Sequence, residues 1–420
     1  MRLRSGFWSD ALRLPELFWA PLHKIGLWIL QRALLSGDLT IISPDGSTTP
    51  LGNQKGYSAT VRFNTYSSLP RMMANPWYAI GAHYVNGLWD LEEGRLADVL
   101  ALLARHGNQA EQKSFLGKVA FRLRRALFVY RQRYGIARSV RNVQKHYDFG
   151  DDLFAAFLDS KLNYTCADFE CGAADIDEAQ ETKLRNALKR LSLRPGHRLL
   201  EIGCGWGALS CLAASEYGAD VTALTLSENQ LRYSERAGDE ACGGRKPKYL
   251  LEDYRQHERG KSGLYDRVVS VGMLEHVGLG QLEVYFSELN RLLKEDGVAL
   301  VHTIARYRAG VTNPWIERHI FPGGYIAQEA EILNAATKNG FTICDETYHY
   351  RAANYIETLR RWADRFHHSW PVLLKHKYPE RLRRTYDFYF AASEAAFREL
   401  DMQAAQFVFR KRRVKRTPLS

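Results

Sequence analysis

His197-Arg198-Leu199-Leu200-Glu201-Ile202-Gly203-Cys204-Gly205-Trp206-Gly207 runs into an apolar stretch of helical spacing and then into Asp220-Val221-Thr222-Ala223-Leu224-Thr225-Leu226-Ser227. A short apolar run entering three closely spaced glycines reads as a strand, a tight turn and a helix N-terminus. Glycines at such a turn let backbone N–H groups approach a ligand that a Cβ would keep away. The spacing is Gly-x-Gly-x-Gly, not the Gly-x-Gly-x-x-Gly of dinucleotide binders. Glu201 closes the strand, where a carboxylate can order the turn or meet a cationic ligand.

Further apolar strands are predicted at Val221–Leu226, Lys248–Glu252, Val268–Met273 and Val298–His302. Helical patterns separate most of them, so the chain is α/β: a doubly wound, mostly parallel sheet covered on both faces. Ligands in such sheets bind beyond the carboxyl ends of the strands. The clusters Thr225-Leu226-Ser227-Glu228-Asn229-Gln230, Glu252-Asp253-Tyr254 and Glu275-His276 follow strand ends in that way.

Several stretches together carry a more specific signal. They are Tyr147-Asp148-Phe149-Gly150, Tyr164-Thr165-Cys166-Ala167, the glycine turn, Leu224–Gln230, Gly272-Met273-Leu274-Glu275-His276-Val277-Gly278, His302-Thr303-Ile304, Trp315 through Phe321-Pro322-Gly323-Gly324, Tyr355–Thr358 and Phe397–Phe409. On these the chain resembles the cyclopropane-fatty-acid synthases, methyltransferases that use S-adenosylmethionine. The resemblance implies a class I methyltransferase fold preceded by a small N-terminal α+β unit, and a phospholipid acyl alkene as methyl acceptor. It assigns Tyr147, Glu201, Gly203, Gly205, Gly207, Thr225, Leu226, Gln230, Asp253 and Tyr254 to the cofactor. It assigns Cys166, Glu275, His302, Ile304 and Tyr355 to a bound bicarbonate acting as base, with no metal. For Asp253, helix capping is an equal alternative. The reaction passes through a carbocation, and the aromatic faces of Tyr164, Phe169, Tyr355 and Trp362 are candidates to stabilise it.

The net charge of +11 is uneven. Gln112–Tyr147 holds ten basic residues and no acid, and Arg410–Ser420 adds six, which leaves −5 for the rest of the chain. In the first of these, Leu116, Val119, Ala120, Leu123, Leu127, Tyr130 and Tyr134 form a narrow apolar stripe, with Arg122, Arg124 and Arg125 among the basic residues on the other faces. A basic amphipathic helix of this kind suits an anionic membrane surface, and a solvated linker helix packed on the core is the alternative. The organisation read from the chain is therefore an N-terminal unit over 1–106, a basic linker helix over 107–145, a methyltransferase domain over 146–411 and a basic tail over 412–420. The N-terminal unit reads as strands at Leu39–Ile42 and Ala59–Phe63 and helices over Leu69–Asn75 and Leu96–His106, and Ala405–Phe409 reads as a last, antiparallel strand at the sheet edge. Six scattered cysteines without a Cys-x-x-Cys point to a reduced chain. No apolar run is long enough to span a bilayer. Taken together these features place the protein in the cytoplasm, peripheral at the inner face of the membrane, with anionic phospholipids as partner. The resemblance adds a homodimer.

Alternatives stay open at the level of sequence. A relative ending at a methyl-branched or methylene product would carry the same motifs. A non-catalytic lipid-binding protein would keep the fold without the cofactor. A nucleic-acid methyltransferase would use the basic stretches, but no aromatic-proline catalytic motif accompanies them.

Overall fold

A computed structural model describes residues 15–34, 36–113, 119, 122–128, 132, 141, 150–242 and 244–412. Tyr147, most of the basic stripe and the basic tail lie outside the described residues.

The N-terminal part holds helix α1 (Ala20–Ala33), strands β1 (Gly37–Ile42), β2 (Thr48–Lys55) and β3 (Ser58–Phe63), helices α2 (Ser68–Ala74) and α3 (Pro76–Val85), strand β4 (Trp89–Gly94) and helix α4 (Leu96–Lys113). The strands form one sheet in the order β2-β1-β3-β4. Residues alternate between buried and half-buried along β1, which is the period-two pattern of a sheet with one covered face.

The larger part begins with α5 (Asp151–Ala155) and α6 (Ile176–Arg190). It continues through β5 (Arg198–Ile202), α7 (Ala208–Ser215), β6 (Asp220–Thr225), α8 (Glu228–Ala241), β7 (Lys248–Leu251), β8 (Tyr265–Val271), α9 (Leu282–Leu292) and β9 (Leu293–Arg306). After these come α10 (Pro314–His319), α11 (Glu329–Lys338), β10 (Phe341–Ile343), β11 (Tyr348–His349), α12 (Ala352–Ser369), α13 (Glu380–Glu399) and β12 (Met402–Lys411). The sheet order is β10-β12-β9-β8-β5-β6-β7, with β11 pairing to β12. Strands β9, β8, β5, β6 and β7 are parallel. The chain proceeds from β5 outward to β7 on one side and from β8 outward to β9 on the other, so the strand order reverses between β5 and β8. A crevice opens at the carboxyl ends there, where ligands bind in folds of this kind.

Two expectations are corrected. Strand β12 is antiparallel, as its sequence suggested, but it is not at the edge, because β10 pairs with its outer side. The segment Phe341–Ile343 is too short to show a period by itself. The cysteines are not all free thiols: Cys211 on α7 and Cys242 after α8 form a disulfide, 31 residues apart in sequence. That separation lies far outside the short motifs by which pairing is read from sequence.

The N-terminal sheet and the C-terminal helices share one apolar core. Tyr84 lies 6.1 Å from Phe388 on α13, and Arg384 stacks 4.2 Å over the Tyr84 ring. Arg398 on α13 pairs with Asp98 on α4 at 2.6 Å. The aromatic cluster around Tyr84 and Trp89 is therefore both core and docking surface.

Candidate functional site

The glycine turn after β5 has the backbone it needs. Gly203, Gly205 and Gly207 all have positive φ, at +81°, +54° and +89°, a region that costs an L side chain strain. Their surroundings differ. A Cβ on Gly203 would meet Met273 Cγ at 2.8 Å, and one on Gly207 would meet the Tyr249 hydroxyl at 2.8 Å. A Cβ on Gly205 would meet nothing within 4 Å, because it would project into a cavity.

That cavity lies at the carboxyl ends of β5, β6, β7 and β8. Its walls include Glu201, Gly203, Gly205, Thr225, Leu226, Gln230, Asp253 and Tyr254, all expected from sequence. Gly207 stands behind the turn rather than on the wall, and shapes the entry of α7. Thr225 Oγ1 donates to Gln230 Oε1 at 3.0 Å, and the Gln230 N–H donates to Ser227 Oγ, capping α8. Asp253 does two things. It faces the cavity, and its carboxylate holds Arg255 through Nε at 2.8 Å and Nη2 at 2.7 Å. The helix-capping alternative is not met, since no helix begins at Asp253; its Oδ1 accepts from the Arg255 N–H at 2.9 Å within a turn.

Glu201 is buried and accepts from the Ser210 hydroxyl. Burial raises its carboxyl to about 7. Lys183 on α6, also buried, is brought down to about 8 by burial, against the pull of Asp159, Cys166 and Glu201. Its Nζ donates to Thr165 Oγ1 at 2.8 Å. Sequence reading passed over Lys183, yet a signal was there: it is a lone cation on the apolar face of α6 formed by Ile176, Ala179, Leu184 and Ala187.

A second cavity of about 1320 Å³ adjoins the first. That exceeds the roughly 300–1,000 Å³ of an ordinary small-molecule pocket. Its walls come from α3, α4, helical residues 122–128, the loop after β9, α12 and α13. Tyr164, Thr165, Gly272 and His276 belong to both cavities, so the two spaces meet at these four residues. Of the expected catalytic set, Glu275, Ile304 and Tyr355 line the second cavity, and Cys166 and His302 stand behind its wall. His276 faces both spaces, and burial lowers it to about 4.

Glu275 Oε1 accepts from the Ile304 N–H at 2.7 Å. Burial pushes its carboxyl above the ordinary range. Its Oε2 is buried with no hydrogen-bond partner among the described residues, and so is His302 Nδ1. Burial lowers His302 to about 3, with the charges of Lys183 and Arg190 acting in the same direction, so its ring is neutral near pH 7. A carboxylate oxygen and a neutral imidazole, both buried and both lacking partners, fit a small protonated oxyanion, which can accept from one and donate to the other. Cys166 lies off the cavity wall, its thiol donating to the Ala167 carbonyl at 3.4 Å and raised strongly by burial.

The aromatic candidates separate as well. Tyr164 faces both cavities with its ring 5.2 Å from Trp362, and Tyr355 lines the second while stacked 4.2 Å on Phe397. Trp362 is fully buried behind them and Phe169 is off the wall. The basic stripe also reads differently in three dimensions. Arg125 pairs with Glu331, Arg124 stacks 5.4 Å from the Trp77 ring and Phe128 packs on Tyr325, while Leu123 and Leu127 are exposed. Arg124 and Arg125 therefore turn toward the protein, and the described part of the apolar stripe turns away from it.

The profile of the mycolic acid cyclopropane synthetase family matches residues 135–407. The cyclopropane-fatty-acyl-phospholipid synthase of Escherichia coli (strain K12) is 33% identical over 352 residues, covering 84% of this chain and 87% of the relative. A cyclopropane synthase structure from Mycobacterium tuberculosis aligns with a TM-score of 0.60 at 32% identity, over 65% of this chain and 98% of that one. A mycolic acid cyclopropane synthase solved with SAH and CTAB aligns with the same score, identity and coverage.

Proposed function

Because the chain belongs to the mycolic acid cyclopropane synthetase family of S-adenosylmethionine-dependent methyltransferases, we propose that it converts the double bond of unsaturated phospholipid acyl chains into a cyclopropane ring. The observation that carries this reading is the junction of the glycine-turn cavity with a large, mainly apolar one at Tyr164, Thr165, Gly272 and His276. An alkene inserted through the second cavity reaches that junction without crossing water.

When bound, S-adenosylmethionine would supply the methyl group and a bicarbonate would supply a base for the proton lost as the ring closes. The chain's own residues do the rest. Gly203 and Gly205 bring backbone to the methionine portion of the cofactor, while Thr225, Gln230, Asp253 and Tyr254 surround its nucleoside. Glu275, His302, Ile304 and Tyr355 would hold the bicarbonate, Glu275 being fixed by the Ile304 N–H. Tyr164 and Tyr355 present aromatic faces to the developing cation, which they stabilise without acting as nucleophiles. The apolar wall excludes water, which would otherwise capture that cation.

Incubating the protein with methyl-labelled cofactor and unsaturated phospholipid vesicles tests this directly. Label is expected in the acyl chains, with the mass of an added CH2 and the loss of the double bond. The same added CH2 with a double bond retained, as a methylene group or a methyl-branched alkene, would instead indicate that the cation loses a different proton, and unlabelled lipid would refute the reading.

Access to lipid implies contact with a membrane surface. No helix among the described residues is long and apolar enough to cross one. Helix α1 offers another means. Phe18, Leu22, Ile25, Trp28 and Ile29 are exposed along one side, Ile25 at 53% and Trp28 at 54%, while Gly26 and Leu27 face the protein. No acid lies between Glu16 and Asp38, and Lys24 and Arg32 flank the stripe. A helix with this division lies in the lipid interface. We therefore assign the protein a peripheral position on anionic phospholipid membranes. Burying two large apolar side chains contributes about 1.5–3 kcal/mol each. Ile25→Glu with Trp28→Glu is accordingly expected to weaken vesicle partitioning by at least about tenfold. Unchanged sedimentation with vesicles would remove α1 from the membrane contact.

A further inference from the structure

Strand β9 continues past the site. Its side chains alternate, so His302, Ile304 and Arg306 share one face. Ile304 holds Glu275, and Arg306 follows roughly 7 Å further along the strand. Arg306 lines the wall of the lipid cavity. Its Nε is buried without a hydrogen-bond partner, and no carboxylate among the described residues lies within 4.0 Å of its guanidinium. Neighbouring arginines on the same wall are paired, Arg125 with Glu331 and Arg308 with Asp401 at 3.6 Å. Glu331 is near enough to favour the Arg306 charge, but it is already held by Arg125 and the Tyr325 hydroxyl.

The fold makes room for this guanidinium. A Cβ on Gly310, in the loop after β9, would lie 1.4 Å from Arg306 Nη1. Only a residue without a side chain leaves the guanidinium in that position. A half-buried cation with an orphaned donor, in a cavity lined mainly by apolar side chains, is incomplete until an anion joins it.

We infer that Arg306 binds the phosphodiester of the lipid substrate at the wall of the cavity. The planar fork of donors suits two phosphate oxygens at once. This rests on the phospholipid reading above. It adds a consequence: anchoring the phosphate at a fixed point on β9 sets how far along the acyl chain the junction with the cofactor cavity falls. Free phosphate offers the same chemistry, but the apolar length of the cavity selects an ester carrying acyl chains.

The test uses a saturated, short-chain phosphatidylglycerol below its micelle concentration, which binds without reacting, and the diacylglycerol with the same chains. Wild type, Arg306→Gln and Gly310→Ala are compared by calorimetry. Loss of charge-assisted hydrogen bonds is expected to weaken the phosphatidylglycerol by about tenfold in both variants, with diacylglycerol changed by less than about twofold. Gly310→Ala keeps the charge and displaces the guanidinium, so it carries the test if Arg306→Gln does not fold. Equal loss for both lipids, or no loss for either, would overturn the assignment. Inorganic phosphate at millimolar concentration is expected not to compete; competition as strong as that of the lipid would assign the site to the free ion. A wild type that binds phosphatidylglycerol in this phosphate-dependent way, yet methylates no unsaturated lipid, would refute the proposed reaction and leave the anion site standing.

Discussion

Gly205→Val is expected to lower S-adenosylmethionine affinity by about ten- to a hundredfold while the protein still folds. The two halves of that expectation have different physical origins. At φ +54° a β-branched residue costs about 1–2 kcal/mol of backbone strain. For a chain of this size that lowers the melting temperature by only a few degrees. The new methyl groups meet no protein atom, since nothing lies within 4 Å of the Cβ position. They would occupy the space proposed for the cofactor instead, and overlap in a packed site costs about 1–3 kcal/mol beyond the strain. The neighbouring glycines should behave in the opposite way. Gly203→Ala drives a methyl into Met273, and Gly207→Ala drives one into Tyr249 and Ser234, so both should lose stability before affinity. Calorimetric titration with the cofactor, beside thermal melts, separates the three. Retained affinity in Gly205→Val would place the cofactor elsewhere.

That contrast also marks what was legible in the sequence. The Gly-x-Gly-x-Gly turn, the parallel strands and the polar clusters at their ends follow from local pattern, because strand, turn and helix N-terminus are decided within a few residues. Which glycine faces the ligand is not local. It depends on Met273 and Tyr249, which arrive from β8 and β7. The same holds for the catalytic set. The motif containing Glu275 and the one containing Ile304 could be read separately, but not the hydrogen bond that joins them across 29 residues. Cys166 was read as a donor to the bound anion, and only the packed structure commits its thiol to the Ala167 carbonyl. Which face of the basic stripe is inner was hidden for a related reason. A helical wheel assigns faces relative to one another, and the partner that decides which face is inner, here Glu331 and Trp77, is more than forty residues away. Lys183 and Arg306 were missed because a single cation in an apolar pattern looks like an ordinary surface residue until its surroundings are known.

Glu275→Gln tests the reaction centre with the least change of shape. The amide oxygen can still accept from the Ile304 N–H, so the side chain keeps its position. What changes is the second atom: an acceptor that is buried and without a partner becomes an NH2 that can only donate. Loss of a positioned group that exchanges a proton lowers turnover by about 10²–10⁴. kcat is therefore expected to fall in that range, while cofactor affinity stays within about twofold, because Glu275 lines the lipid cavity and not the cofactor's. A second readout comes from stability. Burial holds the Glu275 carboxyl above its ordinary pKa of 4.5. Between the unfolded and folded values the native protein carries a proton that the unfolded chain has released, so this group's contribution to stability is complete below the unfolded value and is lost as pH rises through the folded one. Glutamine has no such loss. The stability of Glu275→Gln relative to wild type should therefore increase with pH across that interval, the reverse of what removing an ordinary salt-bridged carboxylate would give. Turnover at the wild-type rate would mean that Glu275 is not engaged in the chemistry at the junction, and a stability difference that does not change with pH would mean that burial does not hold its carboxyl above the ordinary range.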